Sequence, residues 1–439
     1  MKRLFLSLTV LLCSFAQADE PVSERLAIYE YALYALPDSD GDPKATLEAL
    51  VKDEFSSFTI VDEVEGPPTE PLLLVTMLND AQTSYAPPDM DYIAYAGRGL
   101  TRQQALAVQD CEDVLIVNIG YPASMTDTMF PKALELMAAV AAEHDSLLWD
   151  EATREIFSPA AWREQRIETW NDGVPNAQDH TTIHAYKNGD YVRAITLGME
   201  KFGLPDIAVN DFAWSNGQSV GSLINLVTQT LVEGGDFNDD FSLDVDIEAV
   251  RNDQVKTSLL DAVLDNAQLS LNVQFKPEEP EQGDPDNFIL EIRFDTDPSL
   301  SVQEQQDVLI SELFGARDSI VMVDHNAKIL AASEAARKKL PGLRDDFVAG
   351  LEPGEFIHVK APFETPEGGN EWMWVEVVSW EGTSIRGLLQ NDPYYIPDLR
   401  AGAEVEVSMD DVFDYIRRLA DGTSEGNETG ALIMEAQGQ

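Results

Sequence analysis

The stretch Asn370 to Asp414, NEWMWVEVVSWEGTSIRGLLQNDPYYIPDLRAGAEVEVSMDDVFD, carries more mutually consistent local signals than any other part of the chain. Apolar and β-branched residues fill Trp372 to Val378. Glu381-Gly382-Thr383 then links them to a second run, Ile385 to Leu389, and the pair reads as a hairpin. Asn391-Asp392-Pro393 ends it. Pro393 and Pro397 have no amide hydrogen for a central ladder, so the tract around them is a loop, and a third strand begins where Val405 and Val407 alternate with glutamates. Ser408 followed by Asp411 resembles a capping box, and Met409, Val412, Phe413, Ile416 and Leu419 fall on one helical face, which predicts a closing helix. Trp372, Trp374 and Trp380 are expected on one strand face with Glu376 between them, as wall packing rather than a ligand platform.

Working outward, residues 335–434 resemble the YegJ-like domain of unknown function, a bacterial family often found in exported proteins. The likeness rests on the ARKKLPGL lead-in, Val359-Lys360, Glu371 before the Trp-containing strand, Gly387, Asn391, Pro393, Gly402, and Asp414 before an aromatic. It implies a fold and no activity. Two positions depart from the pattern: Trp372 stands where His is expected, and Tyr415 where Trp is expected. The polar positions that the resemblance keeps, Glu371, Asn391 and Asp414, together with Trp374, are the candidate binding residues; turn and cap roles are the competing reading.

At the other end, Lys2 and Arg3 precede an apolar run from Leu4 to Phe15, and Ala16-Gln17-Ala18 offers small residues for cleavage. This is the pattern of a secretory signal peptide over 1–18, and the run is shorter than the ~20 residues a membrane helix needs. A periplasmic or secreted protein without membrane insertion is expected. The chain has 79 acidic and 29 basic residues, a formal charge of −50. Such a surface repels nucleic acid and favours a basic protein partner, with weak divalent cation association at most. Cleavage after Ala18 would leave Cys111 as the one cysteine, expected as a buried thiol beside the strand Val114 to Val117.

The rest is α+β. Residues 19–160 alternate strands (Leu26 to Leu36, Phe58 to Val64, Leu72 to Met77, Val114 to Ile119) with helices, one opened by Asp42-Pro43, one starting at Thr101 and one around Pro131 to Ala142. An α/β sandwich is expected, with a ferredoxin-like arrangement as the specific form considered. Residues 161–315 read as a mixed region. It holds a hairpin around Asn188-Gly189, a short helix ended at Gly203, helices at Gly217 to Val232 and between Ile247 and Leu264, and paired strands Leu269 to Phe275 and Phe288 to Phe294. Between those strands KPEEPEQGDPDN reads as a mobile linker, and Gly234 to Asp246 as an acidic loop. A helix over Val302 to Leu313 and a strand Ile320 to Val323 lead into the β-rich unit, 316–439.

Chemistry-bearing patterns are incomplete. Asp38, Asp40 and Asp42 start like a calcium loop, but Pro43 occupies the turn-glycine position and Ala49 that of the bidentate glutamate. Asp236, Asn238 and Asp240 fail the same test. His180 and His184, four apart on a predicted strand, would stand roughly 13 Å apart, too far for one zinc. Gly217-Gln218-Ser219-Val220-Gly221 spells a nucleophile elbow but lacks a strand running straight into it; Ser215 or Asn216 is expected to cap that helix instead. No cofactor is implied. The sequence therefore points to a non-catalytic binding protein, with a hydrolase using Ser219 or a histidine-bound metal, and an acidic cation-binding protein, as the alternatives.

Overall fold

In the computed structural model, helix and strand begin where the sequence supplies caps and alternation. It describes residues 25–437 except 38, 40, 239, 265, 316–326, 367 and 421, and omits side chains from 433 on. The strand expected at Ile320 to Val323 lies outside the described residues. Three sheets organise the chain, with strands within 26–157, 182–292 and 356–426.

The first sheet has seven strands, built on Leu26–Tyr34 paired antiparallel to Val114–Pro122. Leu72–Leu78 flanks one side and Leu147–Asp150 the other, both antiparallel to their neighbours. With helices Pro43–Asp53 and Thr126–His144 interleaved, this is the βαββαβ order of a ferredoxin-like sandwich, as considered from the sequence. Asp42 caps the first helix by accepting from the Lys44 and Ala45 amides at 3.0 and 3.1 Å. Short helices, Met90–Ala96 and Arg102–Ala107, cover the opposite face, and Thr101 with Gln104 forms a capping box. Burial on both faces explains why Val114 to Val117 is continuously apolar.

The second sheet has six strands, with Asp206–Phe212 parallel to Ile289–Ile292 at its centre. The hairpin Thr182–Asn188 and Tyr191–Leu197 forms one edge, turning at Asn188-Gly189 as expected, with Gly189 at φ +65°. Helix Gly217–Val232 has the bounds the sequence suggests. The helix expected between Ile247 and Leu264 is present as Asp253–Asp261, and Asn252, turning its side chain back onto the Gln254 and Val255 amides, sets its start. Two expectations are corrected. Ser242–Asp246, within the presumed acidic loop, pairs as an edge strand with Ser270–Glu278. The acidic linker is anchored rather than loose: the fully buried Arg193 guanidinium makes two 2.9 Å bonds to Asp284 and a 3.3 Å ion pair to Glu278.

The first two sheets share one apolar core, which contains Phe130 and Trp162 from the first and Phe202 and Leu204 from the second. Gly203 marks a close approach between them. It has φ +67°, and a Cβ there would meet Ala123 Cβ at 2.5 Å. Beside it, the turn Met199–Phe202 drives Lys201 into the first unit, where its ammonium lies 2.6 Å from Asp150 Oδ2. Arg166 completes the cluster, 3.4 Å from Asp150 and 2.7 Å from Glu155, with its guanidinium over the Phe157 ring. Burial alone would raise the Asp150 carboxyl; Lys201 and Arg166 overcome it and hold it below the ordinary value.

The third sheet is fully antiparallel, with Asn370–Glu381 between Phe356–Glu364 and Ser384–Leu389. Outside these lie Glu404–Ser408 on one side and Asp414–Arg418, then Ser424–Gly426, on the other. The helix expected over Met409 to Leu419 is therefore a short turn and a strand. The open edge of Phe356–Glu364 recruits this tract, beginning with the Phe413 amide donating to the Lys360 carbonyl at 2.7 Å, and pairing overrides the helical period. A helix does close the unit, at Glu428–Gln437, while Ala327–Ala349 packs Ala336, Leu340 and Leu343 onto the sheet. A bulge between Val377 and Ser379 also moves Trp380 across the sheet. It joins Met373, Val375 and Val377 in the core instead of sharing a face with Trp372 and Trp374.

Lys201→Ala would leave Asp150 charged and buried with Arg166 as its remaining partner. We expect a loss of about 3–5 kcal/mol in unfolding free energy, read by denaturant titration, and a much smaller loss when Asp150→Leu accompanies Lys201→Met.

Candidate binding site

The most exposed aromatic pair of the third unit lies between its two loop prolines. Tyr394 and Tyr395 are 65% and 47% exposed, and their rings meet edge to face at 4.7 Å. Their backbone is held from below: the Glu371 carboxylate accepts both amides, at 2.8 Å from Tyr394 and 3.0 Å from Tyr395. At the start of the loop the Trp374 amide donates to Asn391 Oδ1 at 3.2 Å, and the Gln390 amide donates to the Trp374 carbonyl at 2.9 Å. Asp392 accepts from the Ala401 amide at 3.0 Å and ties the two ends together. The sheet thus presents a braced loop rather than a floppy one.

Of the four candidate residues, Glu371, Trp374 and Asn391 converge on this loop, the first and last through side chains and Trp374 through its backbone. The Trp374 ring faces the Lys360 ammonium at 5.5 Å. Asp414 is elsewhere. Fully buried, it accepts from the Thr429 amide at 2.9 Å and from the Thr429 hydroxyl at 2.5 Å, so it fastens the closing helix to the sheet. Burial lowers the Lys360 ammonium, with Asp414 opposing. The two tyrosines were not among the residues singled out from the sequence, although adjacent aromatics between two prolines in a polar tract are a usable signal.

The other patterns take structural roles. His180 lies in the core against Phe130 and Phe202, accepting from Trp170 Nε1 at 3.1 Å, and burial holds it well below the ordinary histidine value. His184 is half-buried on the hairpin strand. Ser219 lies in the first turn of its helix, separated from the strand Asp206–Phe212 by the turn Trp214–Asn216, so the chain makes no elbow there. Neither Ser215 nor Asn216 caps that helix with its side chain: Ser215 reaches Glu376 in the third sheet, and Asn216 donates to Asp307. Asp42 is a helix cap, and Asp38 and Asp40 lie outside the described residues. Asn238 and Asp240 both bond to Ser242. Cys111 is a buried thiol, as expected, with burial first and Asp113 second raising it to about 12. Among the described residues no group of three or more His, Cys, Asp or Glu is placed to hold a metal ion, and no helix is long and apolar enough to cross a membrane.

Residues 344–435 match the model of DUF2314, a family described as an uncharacterized protein conserved in bacteria, in line with the resemblance over the C-terminal quarter. No curated protein and no solved structure matches the chain.

Glu371→Ala removes the acceptor shared by both tyrosine amides. Chymotrypsin should then cut at Tyr394 or Tyr395 at least tenfold faster than in the wild type, with global stability falling by only about 1 kcal/mol.

Proposed function

We propose that this is an exported, non-catalytic binding protein whose third unit recognises a basic protein partner through the loop carrying Tyr394 and Tyr395. The observation that carries the reading is the coincidence of two strongly exposed tyrosine rings with a backbone already fixed by Glu371 and Asn391. Exposed tyrosines offer large contact area with few rotors, and a braced backbone removes much of the ordering entropy that association would otherwise cost. Such residues are the type that dominate interface energies.

The sign of the partner follows from charge. Glu371 holds the pair's backbone and Asp392 and Asp398 flank it in sequence, within a chain of formal charge −50. A cationic protein surface would be steered toward this loop, whereas phosphate backbones and anionic lipid would be repelled. The leader pattern over 1–18 supports a periplasmic or secreted location, where such a partner would be met.

The test is capture from envelope extract of the source cell by residues 19–439 and by the double variant Tyr394→Ser/Tyr395→Ser. The wild type should retain one stoichiometric basic protein at moderate salt, and the double variant should lose at least tenfold in affinity for it. Equal retention by both proteins, or only salt-sensitive background on both, would overturn the reading.

A further inference from the structure

The second and third units meet over a joint of a different character from the core that joins the first two. Its apolar part is Ala213, Val378 and Leu388, with Tyr191 packed against them. The remainder is polar. Ser215 donates to Glu376 and stands 3.0 Å from Gln390 Oε1, Tyr191 donates to Glu404 at 3.0 Å, and Arg386 bridges Asp190 and Glu404. A joint with so little apolar contact is the kind that opens well before either unit unfolds.

What this joint grips is the tyrosine loop. Gln390, just before the loop, faces Ser215, and Gly402 at its end lies on helix Val302–Phe314. Gly402 has φ +80°, and a Cβ there would sit 2.5 Å from Asp307 Oδ2 and 2.6 Å from the Gln303 carbonyl, so the close approach needs glycine. Asp307 lies at this contact. Its Oδ1 accepts from Asn216 Nδ2 at 3.0 Å. Glu304 precedes it by one turn of the same helix, Glu376 accepts from Ser215 beside Asn216, and Asp392 accepts from the Ala401 amide next to Gly402. Arg400 is turned to Glu304 at 3.9 Å, and His358 Nε2 stands 3.7 Å from Glu376.

We propose that Asp307 is a proton-operated latch: protonated, it lets the second unit hold both ends of the Tyr394–Tyr395 loop, and ionised, it releases them. A neutral carboxyl fits among Glu304, Glu376 and Asp392, whereas a fourth negative charge must be hydrated or moved away. Burial, the largest influence, pushes the Asp307 carboxyl up to about 7, with the three carboxylates adding to the shift and Asn216 opposing it. The sign follows. The docked state keeps a proton that the undocked state has released between about pH 4 and 7, so docking is strongest below that window and weakens as pH rises through it, by up to tenfold per pH unit. The functional consequence, a loop whose presentation depends on pH, rests on the recognition reading above; the latch itself does not.

Hydrogen exchange of residues 390–403 in the full chain, corrected for intrinsic rates, tests it at pH 5.5 and 7.5. The wild type should open at least tenfold more often at the higher pH, Asp307→Asn should stay protected at both, and Glu376→Gln should move the wild-type transition to lower pH. A wild type whose opening does not change, or an Asp307→Asn protein that keeps the change, would overturn the latch. Because the readout needs no partner, an insensitive loop leaves the recognition reading standing, and a sensitive loop in a protein that captures nothing does the reverse.

Discussion

The architecture depends on one buried ionic contact, Lys201 with Asp150, reinforced by Arg166. An ammonium and a carboxylate this deeply buried are stable only as partners, so each fixes the position of the other. The consequence is a rigid platform. Lys201 belongs to the second sheet's unit and Asp150 to the first, and around their contact the two units share a single apolar core with Gly203 at a point of close approach. The ion cluster adds specificity to that core: sliding one unit against the other would strand charge in a low dielectric.

Against this platform the third unit is held lightly. A polar joint beside a shared apolar core can be biased without disturbing either core. The carboxylates at the joint, Asp307, Glu376 and Glu404 among them, give part of the acidic composition a definite place in the fold. The loop carrying Tyr394 and Tyr395 lies where the two properties meet. Its backbone is anchored in the third sheet by Glu371 and Asn391, and its ends rest on the second unit.

Most of the elements were legible in the sequence because their signals are local. Asp42-Pro43, Thr101 with Gln104, the Asn188-Gly189 turn and the bounds of Gly217–Val232 all follow from caps, turns and periodicity. What was illegible depends on distant partners. The tract after Ser408 has a helical period, yet it becomes a strand because an unpaired sheet edge lies beside it. Arg193 gives no sign in sequence that it will anchor a linker some ninety residues away. One bulge residue sends Trp380 to the other face of its strand. At the candidate site, Glu371 and Asn391 were identifiable as polar positions of interest, but their role, bracing an exposed tyrosine pair, emerges only when the loop folds over them. Asp307 was invisible for a related reason: only Glu304 is near it in sequence, whereas Glu376 and Asp392 belong to the third unit.

The central claim is that Tyr394 and Tyr395 are contact residues, and hydroxyl-radical footprinting of the protein alone and saturated with its captured partner tests it most directly. Tyr95, 69% exposed on the first unit, serves as an internal reference. The account predicts that labelling of Tyr394 and Tyr395 falls several-fold in the complex while that of Tyr95 does not change. Undiminished labelling of both loop tyrosines, with protection appearing on another face, would contradict it.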